Sequence, residues 1–227
     1  MYIYGHRGAA GLKDENTLAS INEALKYNIY GIEIDIHQCK SGELIVIHDD
    51  TVDRTTNSTG AVKTFTLSQL NEIKTINGFS IPTLKDVLSL LDGQYALNIE
   101  LKSKNTPKPL LSLLAQNFKG ATKWDYANVL ISSFDYDLLE EVRRLNEHIS
   151  IAILTESSIH NVLNQAKELG AKAIHPSIDN VDKEEINHAK NCGFEINVWT
   201  VNTLKQYALC KHLGVSSIFT DFPNLFV

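Results

Sequence analysis

Three acids and one lysine fall on two short apolar runs with alternating polarity. In Gly31-Ile32-Glu33-Ile34-Asp35-Ile36 the isoleucines take one face of a strand, so both carboxylates share the other. Read the same way, Leu97-Asn98-Ile99-Glu100-Leu101-Lys102 turns Asn98, Glu100 and Lys102 to one side. Neighbouring strands in this arrangement aim Glu33, Asp35 and Glu100 at one space. Crowded carboxylates repel one another and lose hydration, which raises their pKa values or destabilises the fold unless a cation compensates. An all-oxygen donor set without a thiolate suits one hard divalent cation, Mg²⁺ or Ca²⁺. The alternative is a salt-bridged interior in which Arg7 and Lys102 neutralise the acids.

Two histidines stand beside these runs. The first strand-like run ends in His6-Arg7-Gly8, and a further run, Glu43 to Ile47, ends in His48. Cleaving a phosphodiester requires one proton to be taken from the nucleophile and one delivered to the leaving oxygen, work suited to two groups titrating near neutrality. His6 and His48 are therefore the candidate catalytic pair. Arg7 offers a fork of N–H donors to phosphate oxygens and Lys102 a point charge, so both are candidate substrate-binding residues, with simple ion pairing to Glu33 or Glu100 as their other reading. In Glu195-Ile196-Asn197-Val198-Trp199-Thr200 the alternation turns Asn197 and Trp199 inward, where the indole either covers the alcohol part of a substrate or simply packs. His175 stays open between lining the pocket and packing, and the remaining five histidines carry no assigned chemistry.

Strands must hold these groups in place, and the chain supplies eight strand-like runs: 2–5, 31–36, 96–101, 128–131, 150–154, 171–174, 194–199 and 216–219. Helical periodicity fills 17–27, 83–91, 107–118, 135–146, 158–168, 182–191 and 203–211, which is the βα repeat of a parallel sheet. Eight units favour a closed α/β barrel whose active site gathers at the strand C-termini. Residues 49–81, rich in Thr, Asn, Asp and Ser with a short helical piece at 67–73, form an insertion beside that site. Its apolar residues Phe65, Leu67, Leu70, Ile73, Ile76 and Phe79 read as one helix packing down on the barrel.

At 227 residues and 43% hydrophobic content, residues 1–227 can bury one core as a single catalytic domain. A formal net charge of −6 without a Lys/Arg cluster argues against nucleic acid or an anionic membrane as partner. Cys39, Cys192 and Cys210 are odd in number and widely spaced, so they imply neither a disulfide framework nor a zinc site. With no leader-like or membrane-spanning stretch, the expected location is the cytoplasm and the expected state a monomer or homodimer.

The ordered motifs His6-Arg7-Gly8, Glu15-Asn16-Thr17, Glu33-x-Asp35, His48-Asp49, Arg54-Thr55-Thr56, Pro82-Thr83-Leu84, Glu100-x-Lys102, Ser132-Ser133-Phe134, Trp199-Thr200-Val201-Asn202 and Thr220-Asp221-Phe222-Pro223 run along almost the whole chain. Together they resemble the glycerophosphodiester phosphodiesterases. The resemblance implies a (β/α)8 TIM barrel with a small insertion after the second strand. It also implies His6 and His48 as the acid/base pair, Glu33, Asp35 and Glu100 as metal ligands, Arg7 and Lys102 at the phosphate, and Trp199 at the glycerol. The reaction it implies converts a small glycerophosphodiester to glycerol 3-phosphate and an alcohol such as choline or ethanolamine. Two other readings compete: a phospholipase-type diesterase acting on lyso- or intact phospholipids, and a non-catalytic phosphodiester-binding barrel.

Overall fold

A computed structural model describes residues 1–119 and 122–226. Its ring of parallel strands is β1 (Tyr2–Gly5), β2 (Gly31–Gln38), β4 (Ala96–Leu101), β5 (Val129–Ser133), β6 (Ser150–Thr155), β7 (Ala173–Pro176), β8 (Glu195–Val198) and β9 (Ser217–Thr220). Pairing of β1 with both β2 and β9 closes the ring, as a (β/α)8 barrel requires. All eight expected strands are present, with ends shifted by no more than two residues.

The strand β3 (Leu44–Val46) lies outside the ring and runs antiparallel to β2, opposite Ile36 to Gln38. Antiparallel pairing follows from the tight turn in Lys40-Ser41-Gly42, where Gly42 takes a left-handed φ of 102° and donates to the Cys39 carbonyl at 3.0 Å. His48 thus arrives on the upper face by a returning hairpin rather than at the end of a barrel strand.

Register between β2 and β4 pairs Glu33 with Asn98 and Asp35 with Glu100. The intervening Ile32, Ile34, Ile36, Leu97, Ile99 and Leu101 face outward into the main apolar core, beneath helices α1 (Leu18–Ala24) and α3 (Leu84–Leu91). Thr17 and Thr83 start those helices with reciprocal capping boxes, satisfying amide groups that would otherwise lack partners. The other helices, α4 (Pro107–Phe118), α5 (Tyr136–Leu145), α6 (Leu163–Glu168), α7 (Lys183–Asn191) and α8 (Leu204–Leu213), separate the later strands. The periodic run 158–168 is divided between a 3-10 turn at Ile159–Asn161 and α6.

Residues 49–81 gather around a second apolar cluster of Val52, Val62, Leu70, Ile73 and Ile81 with Cys39, Ile45 and Ile47. The expected single helix is corrected: α2 spans only Leu67–Glu72, and Ile76 lies beyond it, 71% exposed. The chain turns back after Ile73, as the bridges Thr56 to Thr75 and Lys74 to Ser80 show, so Ile76 sits at a loop tip. Among the described residues, no helix is long and apolar enough to cross a membrane.

Candidate active site

The upper end of the barrel opens into a cavity of about 310 Å³ whose floor carries Glu33, Glu100 and Asn98. His6, Arg7, His48, Lys102 and Trp199 also line it, so these expected site residues meet in one place, with the buried Asp35 paired across from Glu100 on the neighbouring strand. One carboxylate oxygen each from Glu33, Asp35 and Glu100 lie within 4.8 Å of one another.

Burial, reinforced by Asp35 and Glu100, pushes the Glu33 carboxyl well above its ordinary value. Glu100 rises to about 7, chiefly through burial and then through Asp35, against the pull of Lys102. Burial would raise Asp35 too, but the charges of Arg7 and Lys102, with a hydrogen bond from Asn16, outweigh it and hold that carboxyl low. Glu33 Oε1 and Asp35 Oδ1 are buried without a hydrogen-bond partner among the described residues. Lys102 Nζ donates to Glu100 at 2.7 Å and stands 3.8 Å from Asp35, while Arg7 Nε is 3.2 Å from Asp35, too far off axis to form a hydrogen bond. Two cations facing three acids leave oxygens free, and free buried carboxylate oxygens this close together fit a hard divalent ion.

His6 follows β1, and its Nδ1 is bound to Asp221 Oδ1 at 2.7 Å, leaving Nε2 3.9 Å from Glu33. Asn202 donates to the other Asp221 oxygen at 2.5 Å and fixes that carboxylate. His48 Nδ1 is bound to Asp49 at 2.6 Å, and its Nε2 accepts from Lys102 at 3.1 Å. Burial lowers the His48 pKa against the opposing influence of Asp35 and Asp49, which favours the neutral ring. His37, within β2, binds the His48 carbonyl through Nε2 at 3.0 Å and so steadies the backbone there.

Arg7 is turned into the site by a left-handed backbone, with φ of 50°. Its amide donates to Glu33 at 2.9 Å and its guanidinium to Glu15 at 2.8 Å. Gly8 follows at φ 85°, where a Cβ would meet Ser20 Oγ and approach the Ser20 carbonyl carbon to 2.5 Å and the Ile21 amide to 2.7 Å. Two obstacles coincide, strain and collision with backbone, so Gly8→Ala is expected to destabilise by about 3 kcal/mol. Urea unfolding checks it: a midpoint equal to that of the unsubstituted protein would show that the loop shifts freely.

His175 resolves both of its readings, since it lines the cavity and is wholly buried against Phe219 at a centroid distance of 5.1 Å. Burial takes its pKa down to about 3, so the ring is neutral. The His175 carbonyl accepts from Trp199 Nε1 at 2.8 Å, and the indole meets Phe134 edge-on at 5.6 Å. Phe134 and Glu156 complete the outer wall without having been expected there. Asp221, Asn202, Asp49, Glu15 and Asn16 likewise had no assigned part; Asn16 donates to Asp35 at 2.8 Å.

The family model for the glycerophosphoryl diester phosphodiesterase family matches residues 6–225. The chain is 32% identical over 234 residues to a glycerophosphodiester phosphodiesterase of Caldanaerobacter subterraneus subsp. tengcongensis, covering 99% of this chain and 96% of that protein. It is 35% identical over 234 residues to one from Bacillus altitudinis, covering 98% and 95%. Among solved structures, a phosphodiesterase of Oleispira antarctica in complex with the product sn-glycerol-3-phosphate matches with a TM-score of 0.88 at 24% identity, covering 99% of this chain and 94% of that one. A glycerophosphodiester phosphodiesterase of Thermotoga maritima matches with a TM-score of 0.85 at 26% identity, covering 100% and 96%.

Proposed function

The chain belongs to the glycerophosphoryl diester phosphodiesterase family, a family of hydrolases, and on that premise we propose that it cleaves glycerophosphodiesters to glycerol 3-phosphate and an alcohol. The observation that carries this reading is the meeting of three buried carboxylates, two cationic side chains and two carboxylate-bound histidines around one small cavity.

Glu33, Asp35 and Glu100 would hold one divalent cation, Mg²⁺ or Ca²⁺, which when bound supplies positive charge to the phosphoryl oxygens. Arg7 and Lys102 add donors on the same side, orienting the phosphate and offsetting charge that builds during displacement. Because Nε2 accepts from Lys102 while Nδ1–H donates to Asp49, His48 is the neutral Nδ1–H tautomer, and its basic Nε2 lone pair lies on the side of Lys102 and the cavity. It serves as the base that takes the proton from the attacking hydroxyl or water. His6, its Nδ1 fixed by Asp221, serves as the acid that protonates the departing alkoxide through Nε2. Trp199, oriented by its bond to the His175 carbonyl, covers the glycerol carbons.

A cavity of about 310 Å³ is at the small end of ligand pockets and suits a deacylated diester better than a two-chain lipid. The Oleispira antarctica fold neighbour holds sn-glycerol-3-phosphate, the product expected here. As a working state we propose one catalytic barrel, active as a monomer or homodimer in the cytoplasm. The test is release of glycerol 3-phosphate from glycerophosphocholine by metal-stripped protein before and after Mg²⁺ or Ca²⁺ is restored, with lysophosphatidylcholine run in parallel. Cation-dependent release from the deacylated substrate is expected. Faster turnover of the lipid would transfer the assignment to the phospholipase class, and no turnover of either by folded, cation-loaded protein would leave a binding barrel.

A further inference from the structure

A continuous chain of ion pairs leaves the cavity, crosses the insertion and returns. His48 Nδ1 is bound to Asp49, and Arg54 reaches the same carboxylate through Nε at 2.6 Å and Nη2 at 3.0 Å. On its other edge Arg54 donates from Nη1 and Nη2 to Glu15 at 2.9 and 2.8 Å, and Glu15 in turn accepts from Arg7 at 2.8 Å. We infer that Arg54 is a positioning residue: one planar guanidinium fixes, through Asp49, the imidazole that handles the proton and, through Glu15, the guanidinium that grips the phosphate.

Three features carry this beyond an ordinary surface ion pair. All three Arg54 nitrogens are used, in two bidentate grips on carboxylates that are 34 residues apart in the chain (Glu15 and Asp49). Each carboxylate has its second duty on a group that lines the cavity, whereas Arg54 is not among the residues that do. The residue is also half exposed, at 50%, where an ion pair ordinarily contributes little to stability. The insertion has independent anchors: Asn77 is bound to Asp14 through its side chain at 2.6 Å and its amide at 3.2 Å, and Leu70 and Val62 sit in the second apolar cluster. Losing Arg54 therefore leaves the insertion docked but lets His48 and Arg7 drift relative to each other.

The inference rests on the roles proposed above for His48 and Arg7, and its test includes a readout that does not need turnover. Arg54→Ala is expected to lower kcat about 10- to 100-fold, the scale of a catalytic group misplaced by about an ångström, and to raise KM several-fold. Its melting temperature should match that of the parent. Arg54→Lys should recover only part of the loss, because one ammonium cannot grip two carboxylates bidentately. Asn77→Ala, which loosens the other anchor, should leave kcat unchanged. Nitrogen-15 NMR of His48 and affinity for glycerol 3-phosphate supply the second readout: in Arg54→Ala the ring should lose its single tautomer and the anion should bind more weakly. Unchanged tautomer and affinity would overturn the inference, as would full recovery by lysine or equal losses in Asn77→Ala. If no variant, nor the parent, turns over substrate while tautomer and affinity still respond, the proposed reaction fails and the positioning role stands.

Discussion

Replacing His48 with alanine is expected to lower kcat for glycerophosphocholine about 10²- to 10⁴-fold, the usual contribution of a positioned acid or base. KM should move little, because Arg7 and Lys102 rather than the imidazole hold the phosphate in the proposed complex. Stability should barely change, since the ring is partly exposed and its neighbours Asp49 and Lys102 keep other partners, Arg54 and Glu100. The pH profile separates a base from a mere hydrogen-bonder. Burial holds His48 below the ordinary histidine value of 6.5, so the acidic limb of kcat/KM should fall below that value, with activity lost as pH drops through it. In His48→Ala that limb should disappear. His6→Ala should fall as far, yet the double variant should fall little further than the worse single one, because the two histidines act on one proton-transfer sequence. Steady-state release of glycerol 3-phosphate across pH, alongside thermal melts, checks all three. If His48→Ala keeps activity within twofold of the parent, the base lies elsewhere and the role proposed for His48 is overturned.

The barrel and the contents of its cavity could be read from the chain because strand alternation is a local signal. Ile32, Ile34 and Ile36 fill the outer core while Glu33 and Asp35 point inward, and two strands suffice to place three acids together. The direction of β3 was readable in principle, since Lys40-Ser41-Gly42 between two apolar runs has hairpin spacing, but helical punctuation elsewhere favours parallel connections. What local pattern cannot show is which polar residues hold the proposed catalytic groups. Asp221 binds His6 across 215 positions, and Glu15 meets Arg54 across 39. The first pairing exists only after the ring closes between β9 and β1, the second only after the insertion folds back over the loop that follows β1, and nothing in the spacing encodes either. Asp49 is the exception, because adjacency to His48 was visible, yet adjacency alone does not tell a charge partner from a solvated neighbour.

A second large effect is expected at the carboxylates, and it runs in opposite directions for stability and for function. Glu33→Gln should abolish cation-dependent hydrolysis while making the metal-free protein more stable at neutral pH. Glutamine keeps the shape and can still accept from the Arg7 amide, but it removes a buried carboxyl that in the fold must either keep its proton or carry a charge no cationic side chain hydrogen-bonds. The sign follows from the titration. The folded Glu33 carboxyl sits well above its ordinary 4.5, through burial first and then Asp35 and Glu100, so above that pH the unfolded chain releases a proton that the folded chain retains. The wild type therefore loses stability relative to Glu33→Gln as pH rises from about 4.5, by up to about 1.4 kcal/mol per pH unit. Comparing two proteins that differ at one residue cancels the opposite trend of His175, whose depressed pKa costs stability as pH falls below 6.5. Added Mg²⁺ or Ca²⁺ should reverse the order, stabilising the wild type by about 2.7 kcal/mol at a hundred times the dissociation constant and the variant by much less. Urea unfolding at pH 5 and pH 7, with chelator and with cation, reads every term. A gap between the two proteins that does not widen with pH, together with no response to cation, would mean that Arg7 and Lys102 already balance the acids. The cavity would then be a salt-bridged interior rather than a metal centre.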